Sequence, residues 1–112
     1  MNRIKWLMLL LSVASAQLLT GQAWAQGADD AKAGQVLARQ LCSECHAVDR
    51  TQPLSPNPAA PRFETIANVP GMTGAALSAA LQTPHRTMPN VMLDADQLRQ
   101  IVAYVLSLRR AQ

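Results

Sequence analysis

The chain has little with which to fill an interior. Of its 112 residues only 4% are aromatic: two Trp, one Phe and one Tyr. Cysteine is equally sparse. The two Cys are separated by only two residues, and a disulfide between them would close a small, strained loop. No Arg/Lys run with interleaved aromatics is present, so nucleic-acid binding has no support. No segment reads as a convincing strand, and no internal repeat is visible. The longest apolar stretch is too short to span a bilayer comfortably.

That stretch has another use. Trp6 to Leu19 is almost wholly apolar, broken mainly by Ser12, Ser15 and Gln17, and it follows a short positive region of Arg3 and Lys5. Ala23-Trp24-Ala25 then gives the small-x-small pattern of a signal-peptidase site. The expectation is a signal peptide over residues 1–25, removed after Ala25, and one domain over residues 26–112. The mature protein would be periplasmic, with no stable membrane anchor. Cleavage removes both Trp and leaves Phe63 and Tyr104 in 87 residues. It also leaves eight basic against seven acidic residues, so the +3 of the full chain falls to +1. A domain this small is marginal on hydrophobic burial alone. A large, flat, apolar cofactor is expected to complete its centre.

The local pattern predicts three main helices in an all-α domain. The first runs from about Asp30 to Cys42, with Asp29 or Asp30 as N-cap and an apolar stripe of Ala33, Leu37 and Leu41. Between Thr51 and Pro70 five prolines exclude a regular helix over most of the segment, leaving a short turn at Arg62 to Asn68. So much irregular backbone in a small domain usually wraps something. A second helix is expected over Thr73 to Gln82, capped by Thr73 and stopped by Pro84. The last runs from Asp94 to about Arg109. Asp94 and Gln97 have capping-box spacing, and Leu98, Ile101, Val102, Val105 and Leu108 make one stripe. Arg109-Arg110 would place positive charge at its C-terminus.

Chemistry concentrates in Cys42-Ser43-Glu44-Cys45-His46. Two thiols at this spacing can each add to a vinyl group of haem, and the adjacent His46 then falls beneath the iron. This is the c-type haem attachment pattern. A thioredoxin-like redox pair would need a βαβ context that is missing here. A zinc site would need four ligands from Cys42, Cys45, His46 and His85, with an imidazole awkwardly beside a ligating Cys. His46 fills one axial position of the iron. For the other the domain offers Met72, Met88, Met92 and His85. Met88 is the choice, because it hangs from the loop before the last helix and Pro89 stiffens the backbone there. Met72 and Met92 read as packing. His85 is the rival ligand, with a polar role at the haem edge as its alternative.

Over the whole of residues 26–112 these features resemble the class I c-type cytochromes. Gly34 stands eight residues before Cys42, as the family's Gly does. Ala103-Tyr104 matches its Ala-Tyr pair in the last helix, and Met88-Pro89 its axial Met-Pro pair. The resemblance implies a cytochrome c fold, with helices and Pro-rich loops wrapped around one covalent haem c and its iron. It implies a close crossing of the first and last helices at Gly34, with Tyr104 beside it. It also implies a Pro carbonyl that accepts from the axial His. Pro61 is the better match and Pro58 the alternative, and Phe63 would pack on the haem. Ala38 stands where the family often has an aromatic, which implies a looser crossing. Propionate partners are unassigned, with Arg62 the one candidate.

With His46 and Met88 both on the iron there is no place for substrate. The expected function is one-electron transfer rather than enzymatic catalysis. Redox protein partners would dock transiently at the haem edge. The alternative is a haem subunit of a periplasmic dehydrogenase, or a haem-based redox or gas sensor.

Overall fold

Residues 20–85 and 87–111 are described by the structure, a computed structural model. The apolar stretch expected to be the signal, Trp6 to Leu19, lies outside the described residues. Among the described residues the regular elements are four helices, and no strand forms. They are α1 (Thr20–Leu41), α2 (Phe63–Ala67), α3 (Gly74–Gln82) and α4 (Ala95–Ser107). None is long and apolar enough to cross a membrane.

α3 and α4 follow their local signals. The Thr73 hydroxyl accepts from the Ala76 N–H at 3.1 Å. The Asp94 carboxylate accepts from the Gln97 N–H at 2.8 Å, and the Asp94 N–H donates to the Gln97 side chain at 3.1 Å. Each cap satisfies donors that the first helical turn would otherwise leave unpaired.

α1 starts earlier than its local signals suggest. It is already helical at Thr20 and passes through Asp29 and Asp30, so neither is its N-cap. The run is rich in Ala and Gln and contains no Pro to stop it. The Asp30 carboxylate has a different partner: it accepts from Arg99 Nε on α4 at 2.9 Å. Arg99 also donates to Asp96 at 2.6 Å.

The core lies where α1 and α4 cross. A Cβ on Gly34 would stand 1.9 Å from the Gln100 carbonyl oxygen. One turn on, Ala38 is fully buried. The buried face of α1 is thus the small-residue line Gly34–Ala38, whereas Leu41 of the expected stripe is 44% exposed. The crossing is tight rather than loose, and Ala38 helps to make it so. On α4, Ile101, Tyr104, Val105 and the capping residue Leu108 are buried, and Leu98 and Val102 are half-buried. Phe63, Ala67, Leu77 and Val48 complete the core cluster.

α4 ends at Ser107, two residues before the expected end. Arg109 turns back instead, donating from Nε to the Ala67 carbonyl at 3.2 Å and from its other end to the Met72 carbonyl. The Arg110 N–H donates to Asn68 Oδ1 at 3.1 Å. These two residues fasten the chain end to α2 and the loop after it, which is more than a favourable charge at a helix terminus.

Candidate haem site

The Cys42–His46 segment forms a turn at the end of α1. The Cys42 N–H donates to the Ala38 carbonyl at 2.9 Å, and the His46 N–H donates to the Cys42 carbonyl at 2.9 Å. The Ser43 hydroxyl donates to the Arg39 carbonyl at 2.6 Å. The Pro-rich segment then clasps this turn. The Asn57 N–H donates to the Cys45 carbonyl, the Phe63 N–H to the Ala47 carbonyl, and the Ala47 N–H to the Ser55 hydroxyl, each at 3.0 Å. Irregular backbone is therefore paired partly with Cys45 and Ala47 and partly with itself, as where the Ala60 N–H donates to the Asn57 carbonyl at 3.0 Å.

The His46 ring is fixed from two sides. Its Nδ1 lies 2.7 Å from the Pro61 carbonyl oxygen. A carbonyl only accepts, so Nδ1 carries the hydrogen, and the neutral ring keeps its free lone pair on Nε2. Behind it, the buried Phe63 ring sits 5.4 Å from the imidazole at a tilt of 54°. Phe63 in turn lies 6.5 Å from Tyr104. The two aromatic rings of the domain thus back the histidine in series. Phe63 is not on the cavity wall; it stands behind His46.

In front of His46 opens a mainly apolar cavity of about 280 Å³. Cys45, His46 and Pro61 form one part of its wall, Met72 and Leu77 another, and His85, Met88 and Pro89 of the α3–α4 loop a third. Three of the four candidates for the second axial position, Met72, Met88 and His85, therefore reach the same space. Met92 does not: it is 83% exposed and flanks a smaller cavity with Leu81 and Leu93. Its expected packing role is thus absent. Arg62 is also off the wall. Its guanidinium donates to Glu64 at 3.0 Å, its buried Nε has no partner among the described residues, and it lines a neighbouring cavity with Ala60 and Pro61. Cys42 and Cys45 are both free thiols, and burial pushes the Cys42 thiol up.

One group near the site has no local sequence signal. Asp49, three residues after His46, accepts from Arg39 through both carboxylate oxygens, at 2.9 and 3.0 Å. It also accepts from Gln35 at 3.0 Å. The buried Tyr104 hydroxyl donates to the Val48 carbonyl at 2.7 Å and lies 3.3 Å from Asp49 Oδ1. This network ties the segment after the motif to α1 and α4 together. The bonds from Arg39 foremost hold the Asp49 carboxyl below the usual carboxylate range; burial opposes them, and the Gln35 bond, the Arg39 charge and the Tyr104 bond add smaller lowering effects. Burial foremost, then the Asp49 charge, pushes the Tyr104 hydroxyl up.

These residues fit a haem. The two thiols have the C-x-x-C spacing that suits two vinyl groups, Cys45 being the one on the cavity wall, the tautomer of His46 leaves a metal-ligating nitrogen, and the walls are mainly apolar. Fold and site together define a small all-α domain that holds a covalent haem. A sequence model of the family "Cytochrome c" matches residues 31–109. The chain belongs to the cytochrome c family. Family members bind haem c covalently with its iron, and Cys42 and Cys45 fit the CxxCH motif of that attachment. Haem-based electron transfer between redox partners is the family's activity, and many members are periplasmic or extracellular. No curated protein and no solved structure matches the chain.

Proposed function

We propose that the protein is a periplasmic one-electron carrier whose iron is held by His46 and Met88. The observation that carries this reading is the 2.7 Å contact between His46 Nδ1 and the Pro61 carbonyl, on a cavity that Met88 also lines. The Pro61 carbonyl orients the imidazole and raises its donor strength. Phe63 keeps the ring from swinging back into the core. Pro89 restrains the backbone next to Met88. Leu77, Leu81 and Ile66 on the wall keep water from the centre. When bound, the haem supplies a ferrous–ferric couple, which thioether ligation biases toward the ferrous state. Ligands held this firmly move little on oxidation, which suits fast electron passage.

Export follows from the signal over residues 1–25 with cleavage after Ala25, and docking of redox partners at the haem edge is transient. Replacing Met88 by Ala should abolish the weak long-wavelength sulfur-to-iron band of the ferric protein and lower its midpoint potential. If both survive, the ligand is Met72 and the assignment is wrong. The intact mass of the exported protein should correspond to a chain that begins at Gln26 and carries one haem.

A further inference from the structure

The cavity wall holds a nitrogen donor that the His46–Met88 pair leaves unused. His85 lies on the same wall as Met88. The two are paired backbone to backbone as an isolated antiparallel bridge, so they stand side by side on that wall. Pro84 and Pro89 flank the pair, and each fixes its own φ and restricts the residue before it. His85 itself is exposed, so its ring is not locked into the core. The loop therefore presents two donors of different hardness to one space: a thioether sulfur and an imidazole nitrogen.

We infer that His85 is a reserve iron ligand, which takes the sixth position when the Met88 sulfur leaves it. The inference rests on the reading of His46 and Met88 as the resting pair. In the exchange one sulfur–iron bond breaks and one nitrogen–iron bond forms. The neutral imidazole brings its own lone pair, so no electron and no proton is gained or lost. Ferric iron is the harder oxidation state and accepts nitrogen more readily than thioether sulfur, so the exchange belongs to the oxidised protein. Its effect is to keep the iron closed to small external ligands after the thioether is lost. Because His46 and His85 are the only histidines in the chain, a bis-histidine signature in this protein identifies His85.

The test compares ferric Met88→Ala with Met88→Ala/His85→Ala by absorption and electron paramagnetic resonance at neutral pH. Loss of the sulfur band in the single variant, with a bis-histidine low-spin spectrum that the double variant lacks, is the expected result. A single variant that turns high-spin like the double variant overturns the inference and leaves the Met88 assignment standing. A sulfur band that persists in Met88→Ala overturns both. If Met88→Ala does not accumulate, the parent and His85→Ala are followed in increasing guanidinium. Loss of the sulfur band before any loss of helix should leave the parent low-spin and His85→Ala high-spin. Identical behaviour of the two, or a low-spin product formed only after the helices melt, refutes the reserve ligand.

Discussion

Replacing Gly34 by Ala separates two effects of opposite sign. In an ordinary helix interior Ala is about 1 kcal/mol better than Gly. At the α1–α4 crossing, however, the new Cβ would stand 1.9 Å from the Gln100 carbonyl oxygen, 2.5 Å from its carbon and 2.8 Å from Tyr104 Cβ. Ordinary contact begins near 3.4 Å, so the helices must part by about 1.5 Å. The nearest atoms are α4 backbone and cannot rotate aside. Overpacking costs typically about 1–3 kcal/mol, and a backbone clash belongs at the upper end. Parting the helices also loosens Ala38 against Ile101 and Tyr104, and lost packing adds about 24 cal/mol per Å³ of void. The net expectation is a loss of about 2 kcal/mol or more. For a domain of this size that is on the order of 10 °C in melting temperature. The assay is thermal and guanidinium unfolding of the ferric protein followed by far-ultraviolet circular dichroism. Gly74→Ala is the control. Its Cβ would meet Val102 Cγ1 at 3.5 Å and Leu106 Cδ1 at 3.7 Å, which are ordinary contacts. It should be neutral or gain about 0.4–1 kcal/mol. A Gly34→Ala midpoint equal to or above the parent's would refute the crossing as the reason for this glycine.

Tyr104→Phe keeps the ring but leaves the buried Val48 carbonyl without its 2.7 Å donor, and should cost about 1–3 kcal/mol in urea unfolding. An unchanged midpoint would mean that the carbonyl finds another partner. The same hydroxyl titrates above its ordinary value in the fold, so its contribution is complete below about pH 10 and is lost as pH rises through the folded value. Tyr104→Phe should therefore lose less stability at alkaline pH than the parent does. Asp49 gives the opposite slope. Its depressed titration makes its contribution complete above about pH 4 and lost as pH falls through the lower folded value. Asp49→Asn should flatten the acid limb of stability against pH, and an unchanged limb would remove the network from the account.

How legible all this was depends on how local each signal is. α3 and α4 were readable because Thr73, Pro84 and the Asp94–Gln97 box act within four residues of themselves. The haem attachment was readable because Cys42, Cys45 and His46 are contiguous. The Pro61 partner and the Gly34 crossing came from family likeness, since nothing in local spacing links residue 46 to 61 or residue 34 to 100. Local pattern gives only part of the buried face of α1: Leu37 packs against the core and Ala33 is half-buried, but the fully buried positions are Gly34 and Ala38. Apolar periodicity selects Ala33, Leu37 and Leu41, whereas a close crossing selects small residues, and glycine adds nothing to an apolar pattern. The start of α1 was hidden because Asp30, a good cap by type, is engaged by Arg99 sixty-nine residues away. The Asp49 network and the return of Arg109 to Ala67 are likewise pairings over long stretches of chain that no local pattern records.

The most direct test of the electron-carrier reading is a spectroelectrochemical titration of the exported protein at neutral pH. The account predicts a single reversible one-electron wave, a sulfur-to-iron band in the ferric form, and a ferrous form inert to carbon monoxide. A ferric form without that band, whose ferrous partner binds carbon monoxide rapidly, would contradict it.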